Sequence, residues 1–318
     1  MPLDPFQTLI KKVSDQYDSD IVLYIGPIDR PFDDKFIERC KGLRRRPNVL
    51  LILTTLGGDP HAAYRIARCL QELYLTVPGP PGSNAGGKFR LFVDTRCKSA
   101  GTILATGANI IMFSDFGELG PIDVQLRKGD EVGERSSGLT PMHALESLQQ
   151  LASKHFEDCF KGLRFSEELA FSTKAASEIA TKIVVGLFGP VYGQVDPMRI
   201  GEFDRAMRIA GDYGSRLGKG NLKEDALKRL LASYPSHGFV IDRKEAAELF
   251  KSVENPTLEL TQLGEVTRAW WNDEFLNADA PLILYLTTDD IMKEESGAVN
   301  ETPGTNAGPA VDSGDPSH

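Results

Sequence analysis

The sequence predicts an α/β fold of repeated β-α units: a mostly parallel sheet covered by helices and enlarged by a helical extension. Three observations lead there. Apolar, β-branched runs at 21–26 (IVLYIG), 48–55 (NVLLILTT), 90–95 (RLFVDT) and 110–113 (IIMF) have strand length and little polar alternation, the pattern of strands buried on both faces. Segments with apolar residues at helical spacing separate them, and such alternation builds a parallel sheet. From Thr140 to Leu231 the pattern is mainly helical.

Taken in order, the first run closes at Gly26-Pro27, and Asp33-Asp34 then precede Phe36, Ile37 and Cys40, an N-cap followed by a helical stripe. The second run turns at Gly57-Gly58-Asp59-Pro60 into Ala62, Ala63, Ile66, Ala67 and Leu70, again at helical spacing. Residues 76–88 (TVPGPPGSNAGGK) break the helix and predict a surface loop. The third run leads into a small-residue helix from Ser99 to Ala108, and the fourth follows it. The helical extension, about 140–235, carries Leu145, Leu148, Leu151 and Phe156 on one stripe and Ile179, Ile183 and Val184 on another, with Gly189-Pro190 expected to interrupt it. A short helix is expected over 243–250 and a late edge strand over 281–287. One domain over 1–290 accounts for these elements. Residues 291–318 have almost no large apolar residue and read as a disordered tail.

Composition removes several function classes. Against 36 Lys and Arg stand 45 Asp and Glu, a formal charge of −9, the wrong balance for tracking nucleic-acid phosphates. No apolar run reaches the roughly 18 to 20 residues of a membrane span, and Met1 to Ser19 lacks the order of a secretory signal. A cytoplasmic chain is expected, and the scattered Cys40, Cys69, Cys97 and Cys159 suit a reducing compartment. The histidines His61, His143, His155, His237 and His318 show no metal-ligand spacing, so no metal or cofactor is predicted. No phosphate-binding G-x-x-x-x-G-K-[ST] occurs either.

Two strand-to-helix junctions can carry chemistry. At Leu56-Gly57-Gly58-Asp59, paired glycines permit a tight turn whose backbone N–H groups cradle an oxyanion beside a positive helix end; a plain turn is the alternative. At Lys98-Ser99-Ala100-Gly101 a serine opens a helix, where its hydroxyl is either a nucleophile with the next N–H as oxyanion donor or a simple N-cap. Cys97 shares its side of the strand, and burial without a nearby cation would leave it inert.

In this order, strand, Gly-Gly, helix, strand, Ser-Ala-Gly, helix, strand and Gly-Pro-Ile-Asp, the chain resembles the ClpP/crotonase superfamily over residues 20–125 and again near His237. Ile21 to Asp29 is similar to the opening strand of ClpP, Leu56-Gly57-Gly58 to its Pro-Gly-Gly loop, and Ser99-Ala100-Gly101 to its nucleophile junction. Gly117-Glu118-Leu119-Gly120-Pro121-Ile122-Asp123 most resembles the serine dehydrogenase proteinases, relatives of ClpP and of the signal peptide peptidases. The resemblance implies a ClpP/crotonase-like serine endopeptidase: Ser99 as nucleophile, Ala100 with Gly57 or Gly58 as the oxyanion hole, and Asp123 and His237 completing the triad with acid and imidazole exchanged relative to ClpP. His61 and Lys98 are the alternative bases. It further implies a peptide or unfolded-protein substrate and a homo-oligomer. A catalytically degenerate assembly module and a crotonase-type acyl-CoA enzyme are the rival functions, the latter weakened by a serine where the proteases have theirs and dependent on residues such as Glu118.

Overall fold

The computed structural model of the chain describes residues 4–75, 86–122, 125–127, 135–137, 139–168, 171–269, 276 and 278–286. Most of the loop expected at 76–88, the acid candidate Asp123 and the tail 291–318 lie outside these residues.

The fold is α/β, built on a seven-stranded sheet. Strands β1 (Ser19–Ile25), β2 (Asn48–Thr55), β3 (Phe89–Cys97) and β4 (Ile110–Phe113) run parallel, with β8 (Val253–Glu254) on one edge and β9 (Leu282–Tyr285) antiparallel to β1 on the other. The two-residue β5 (Glu118–Leu119) prolongs the sheet beside the end of β3. A separate antiparallel pair joins β6 (Gln125–Arg127) to β7 (Arg135–Ser137).

Period-two alternation sends neighbouring strand residues to opposite faces, and both faces are buried. Val22, Tyr24, Val49, Leu51, Leu53, Leu91 and Val93 point into one core layer. There they meet α2 (Phe32–Leu43), α3 (Pro60–Tyr74), α4 (Ala100–Thr106), and the ends of α7 (Pro197–Leu217), α8 (Ala226–Ala232) and α9 (Arg243–Leu249). Ile21, Leu23, Ile25, Leu50, Ile52 and Phe92 point into the other, against α1 (Pro5–Tyr17) and α10 (Leu258–Arg268). This two-sided burial is the physical reason the strand runs are continuously apolar.

The second face is where the structure adds to the expected elements. Helix α1 starts on Pro5, which tolerates the first turn because its missing N–H has no intrahelical partner there; it buries only Gln7, Ile10 and Val13. Helix α10 begins at Thr257, whose side chain accepts the Leu260 N–H. Tyr17 joins the two, its hydroxyl accepting the Thr257 N–H at 3.0 Å. The extension forms α5 (Leu139–Arg164), α6 (Thr173–Tyr192), α7 and α8. Gly189-Pro190 does not interrupt it: α6 runs through Pro190 and ends at Tyr192. Pro190 sits in the last turn, and the carbonyl it leaves without a partner belongs to the exposed Gly186, where water can satisfy it.

Candidate active site

The parallel sheet brings the C-terminal ends of β2 and β3 together. Their register shifts between Leu53 and Thr55, so that Thr55 pairs with Cys97, and the Lys98 N–H donates to the Thr55 carbonyl at 3.0 Å. The Gly57-Gly58 turn and the Ser99 corner therefore leave the sheet side by side.

In the turn, Gly57 has φ +115 and Gly58 φ +145, conformations that need the absence of Cβ. Ile28 donates to the Gly57 carbonyl at 2.9 Å and accepts from the Asp59 N–H at 2.7 Å, so the loop is strapped to the segment after β1. A Cβ on Gly58 would lie 2.1 Å from the Ile28 oxygen, and one on Gly57 would lie 2.7 Å from the Ser99 Cβ. The two glycines, interchangeable as oxyanion donors in the sequence, differ here. The Gly57 N–H donates to Thr55 Oγ1 at 3.0 Å and is committed; Gly57 supplies space instead. The Gly58 N–H stands outside both bonds to Ile28, on an exposed residue.

At the corner, Ser99 has φ +51 and ψ −113, in a region L-residues rarely adopt. It occupies the N-cap position of α4, yet its side chain makes no capping bond. Ala100, as the first helical residue, has no intrahelical acceptor for its N–H. From Cys97 to Ala108 every residue is buried except Ser99. Close packing holds this geometry: a Cβ on Gly101 would meet Thr55 Cγ2 at 2.5 Å, and Thr102 Oγ1 donates to the Gly120 carbonyl at 2.7 Å.

The segments that carry the other candidates converge on the same corner. Gly120 donates to the Cys97 carbonyl at 3.0 Å, Leu119 and Ile241 exchange backbone bonds at 2.9 and 3.0 Å, and Ile122 donates to the Leu230 carbonyl at 2.9 Å. His237 lies in the turn that the Phe239 N–H closes on the Ser236 carbonyl at 3.1 Å, and its Nδ1 is buried. Lys98 links these pieces. Its ammonium, on a side chain 8% exposed, meets Glu118 Oε1 at 2.9 Å, the Leu119 carbonyl at 3.3 Å and the Phe239 carbonyl at 3.1 Å. Lys98, an alternative base in the sequence, thus has one acceptor within reach for each of its three N–H donors. His61, the other alternative, starts α3 with its Nδ1 2.8 Å from the Tyr213 hydroxyl, and Tyr213 stacks on Tyr64. Burial pushes the Cys97 thiol up to about 12 despite the Lys98 charge, which leaves it without thiolate near neutrality.

Sequence reasoning passed over the Thr55 and Thr102 hydroxyls and the acceptors of Lys98. A threonine ending a buried strand and a lysine between a buried cysteine and a serine were the available signals. An open cleft of about 510 Å³ is lined by residues including Ser114, Gly117, Arg243 and Asn255; Ser99, Gly57 and Gly58 do not line it. Among the described residues, no group of three or more His, Cys, Asp or Glu side chains is placed to hold a metal ion, and no helix is long and apolar enough to cross a membrane.

No family model matches the chain. No curated protein matches it either. Among solved structures, it is loosely similar to a mutant of a membrane-bound stomatin-specific protease, 1510-N, at 17% identity and a TM-score of 0.28, over 51% of this chain and 69% of that one. That likeness assigns no family.

Proposed function

We propose that the protein is a serine peptidase of the ClpP/crotonase type, similar in its motifs to the serine dehydrogenase proteinases. The observation that carries the reading is Ser99: a strained, accessible serine in an otherwise buried segment, beside a glycine turn with no room for a side chain. A serine whose side chain does not cap its helix, held at φ +51, has a geometry that ordinary packing does not require.

In this reading Ser99 Oγ attacks the scissile carbonyl carbon while the His237 imidazole takes the hydroxyl proton. The tetrahedral oxyanion accepts the N–H groups of Gly58 and Ala100, aided by the positive end of α4. Collapse breaks the C–N bond, the imidazolium returns its proton to the leaving amine, and water then hydrolyses the acyl-serine with His237 again as base. Asp123 orients the imidazole. The proposed substrate is a peptide or unfolded segment.

The apolar, charge-free end of α6, with Val185 64% and Leu187 58% exposed, supports the proposal that copies of the chain assemble. Light scattering is expected to give a multiple of the 34.9 kDa chain mass, and Leu187→Glu to reduce it.

The test of the chemistry is covalent labelling with a fluorophosphonate, read by intact mass on wild type, Ser99→Ala and His237→Ala. One adduct on wild type, absent from Ser99→Ala and slowed at least about 100-fold in His237→Ala, is expected. A folded wild type that takes no adduct would sink the peptidase reading and favour the assembly module; tight coenzyme A binding would favour the acyl-CoA enzyme.

A further inference from the structure

Lys98 stands immediately before the proposed nucleophile, and its three N–H donors reach two different chain segments. Two acceptors, Glu118 Oε1 and the Leu119 carbonyl, belong to the β5 segment. The third, the Phe239 carbonyl, lies two residues after His237. The turn it holds is exposed at Ser236, Gly238 and Val240. Besides its own Ser236–Phe239 bond, this turn is met by the Leu119–Ile241 pairing at its foot and by the Tyr234 ring, 4.9 Å from the Phe239 ring. Such a turn opens easily unless a buried donor holds it. A tetrahedral ammonium on a flexible stem suits acceptors from two directions, which a planar guanidinium does not.

We propose that Lys98 is a positioning residue that pins the turn bearing His237 against the Ser99 corner. The proposal rests on the peptidase reading above and assigns Lys98 a part other than the base. Glu118 balances the buried charge, and the bond to Phe239 sets where the imidazole stands. Misplacing a catalytic group by about 1 Å costs on the order of 100-fold in rate, so loss of this bond should lower reactivity while Ser99 remains intact.

The experiment compares Glu118→Gln with the double variant Lys98→Met/Glu118→Gln, which removes both charges together and leaves neither unpaired. Two quantities are read: the second-order rate of Ser99 labelling by the fluorophosphonate, and amide hydrogen exchange over residues 236–241. Glu118→Gln, whose amide oxygen can still accept from Lys98 and leaves the bond to Phe239 in place, is expected within about threefold of wild type, and the double variant about 10- to 100-fold slower, with faster exchange in the turn and unchanged exchange in β3. In a His237→Ala background the Lys98 change should cost no further rate, because both act through one imidazole. An equal fold-loss in both backgrounds, or an unaltered turn, would overturn the positioning role. Normal labelling of His237→Ala together with none of Lys98→Met/Glu118→Gln would make Lys98 the base and overturn it too. Failure of wild type itself to label would instead remove the peptidase reading on which the proposal stands. Should the double variant not fold, Lys98→Gln/Glu118→Gln, whose shorter side chain cannot span both segments, is read the same way: a looser turn with slower labelling supports the clamp, and an unaltered turn or an unaltered rate overturns it.

Discussion

At the scale of single residues, strain separates Ser99 from an ordinary helix cap. A residue at φ +51 and ψ −113 gains from losing its Cβ, the reverse of the usual cost of glycine. Ser99→Gly is therefore expected to melt about 2 °C above Ser99→Ala, a difference of about 1 kcal/mol, with neither variant labelled; calorimetry showing Ser99→Ala the more stable would mean the corner is relaxed. Gly57→Ala tests the same contact from the other side. Its Cβ has positive φ and no room beside Ser99, so the variant should lose on the order of 2 kcal/mol of stability and most of the labelling rate, measured by denaturant unfolding and intact mass. The strand-to-helix junction at Ser99 was legible in the sequence because a buried apolar run passes there into a small-residue stretch. Which glycine could offer its N–H was not, because that depends on the Thr55 side chain capturing Gly57. The partners of Lys98 were hidden too: Phe239 lies 141 positions away along the chain.

At the scale of elements, strands β1 to β4 were readable to within a residue or two because burial on both faces makes them continuously apolar: β2 and β4 have the expected bounds, and β3 extends from 90–95 to Phe89–Cys97; the short β5 to β8, of two or three residues each, carry no such run and were not expected. Helices α1 and α10 escaped because each buries only a few side chains, and the bond that ties them together, from the Thr257 N–H to the Tyr17 hydroxyl, joins residues far apart along the chain. What fastens α10 to the sheet is likewise not a periodic signal. Arg268 grips the buried Asp94 of β3 through Nε at 2.9 Å and Nη2 at 2.6 Å, and its guanidinium lies 4.5 Å from the Phe116 ring centroid. The carboxylate raises the Arg268 pKa further above its ordinary value. Asp94 is 2% exposed, so removing its partner strands a charge. Arg268→Ala should cost about 3 kcal/mol, whereas Asp94→Leu/Arg268→Met, which removes both charges, should cost less than half as much. Equal losses in urea unfolding would show that packing of α10, rather than the charge pair, holds that face.

At the scale of the whole molecule, the groups buried among these layers make stability depend on alkaline pH. Burial holds the Cys97 thiol up to about 12 against an ordinary 9.0 and the Tyr234 phenol up to about 12 against 10.0, with the Glu245 carboxylate adding to the latter. Burial likewise raises Tyr24, Tyr74 and Tyr285, with negative neighbours such as Asp20 beside Tyr74 acting in the same direction. The sign follows from which state keeps its protons. Above pH 9 the unfolded chain releases them while the folded chain retains them, so the unfolded state binds fewer and stability falls as pH rises. The contribution of each such group is complete below its unfolded value and is lost as pH climbs through its folded one. For Cys97 alone the slope is about 1.4 kcal/mol per pH unit between those limits. Urea midpoints are therefore expected to hold steady from pH 7 to 9 and to drop progressively from 9 to 12. Substituting Cys97→Ala should flatten the first part of that fall, because thiol ionisation precedes phenol ionisation in the unfolded chain. A midpoint unchanged up to pH 11 would mean that the thiol and phenols ionise without opening the core, and that the two layers around the sheet admit water more readily than their close packing implies.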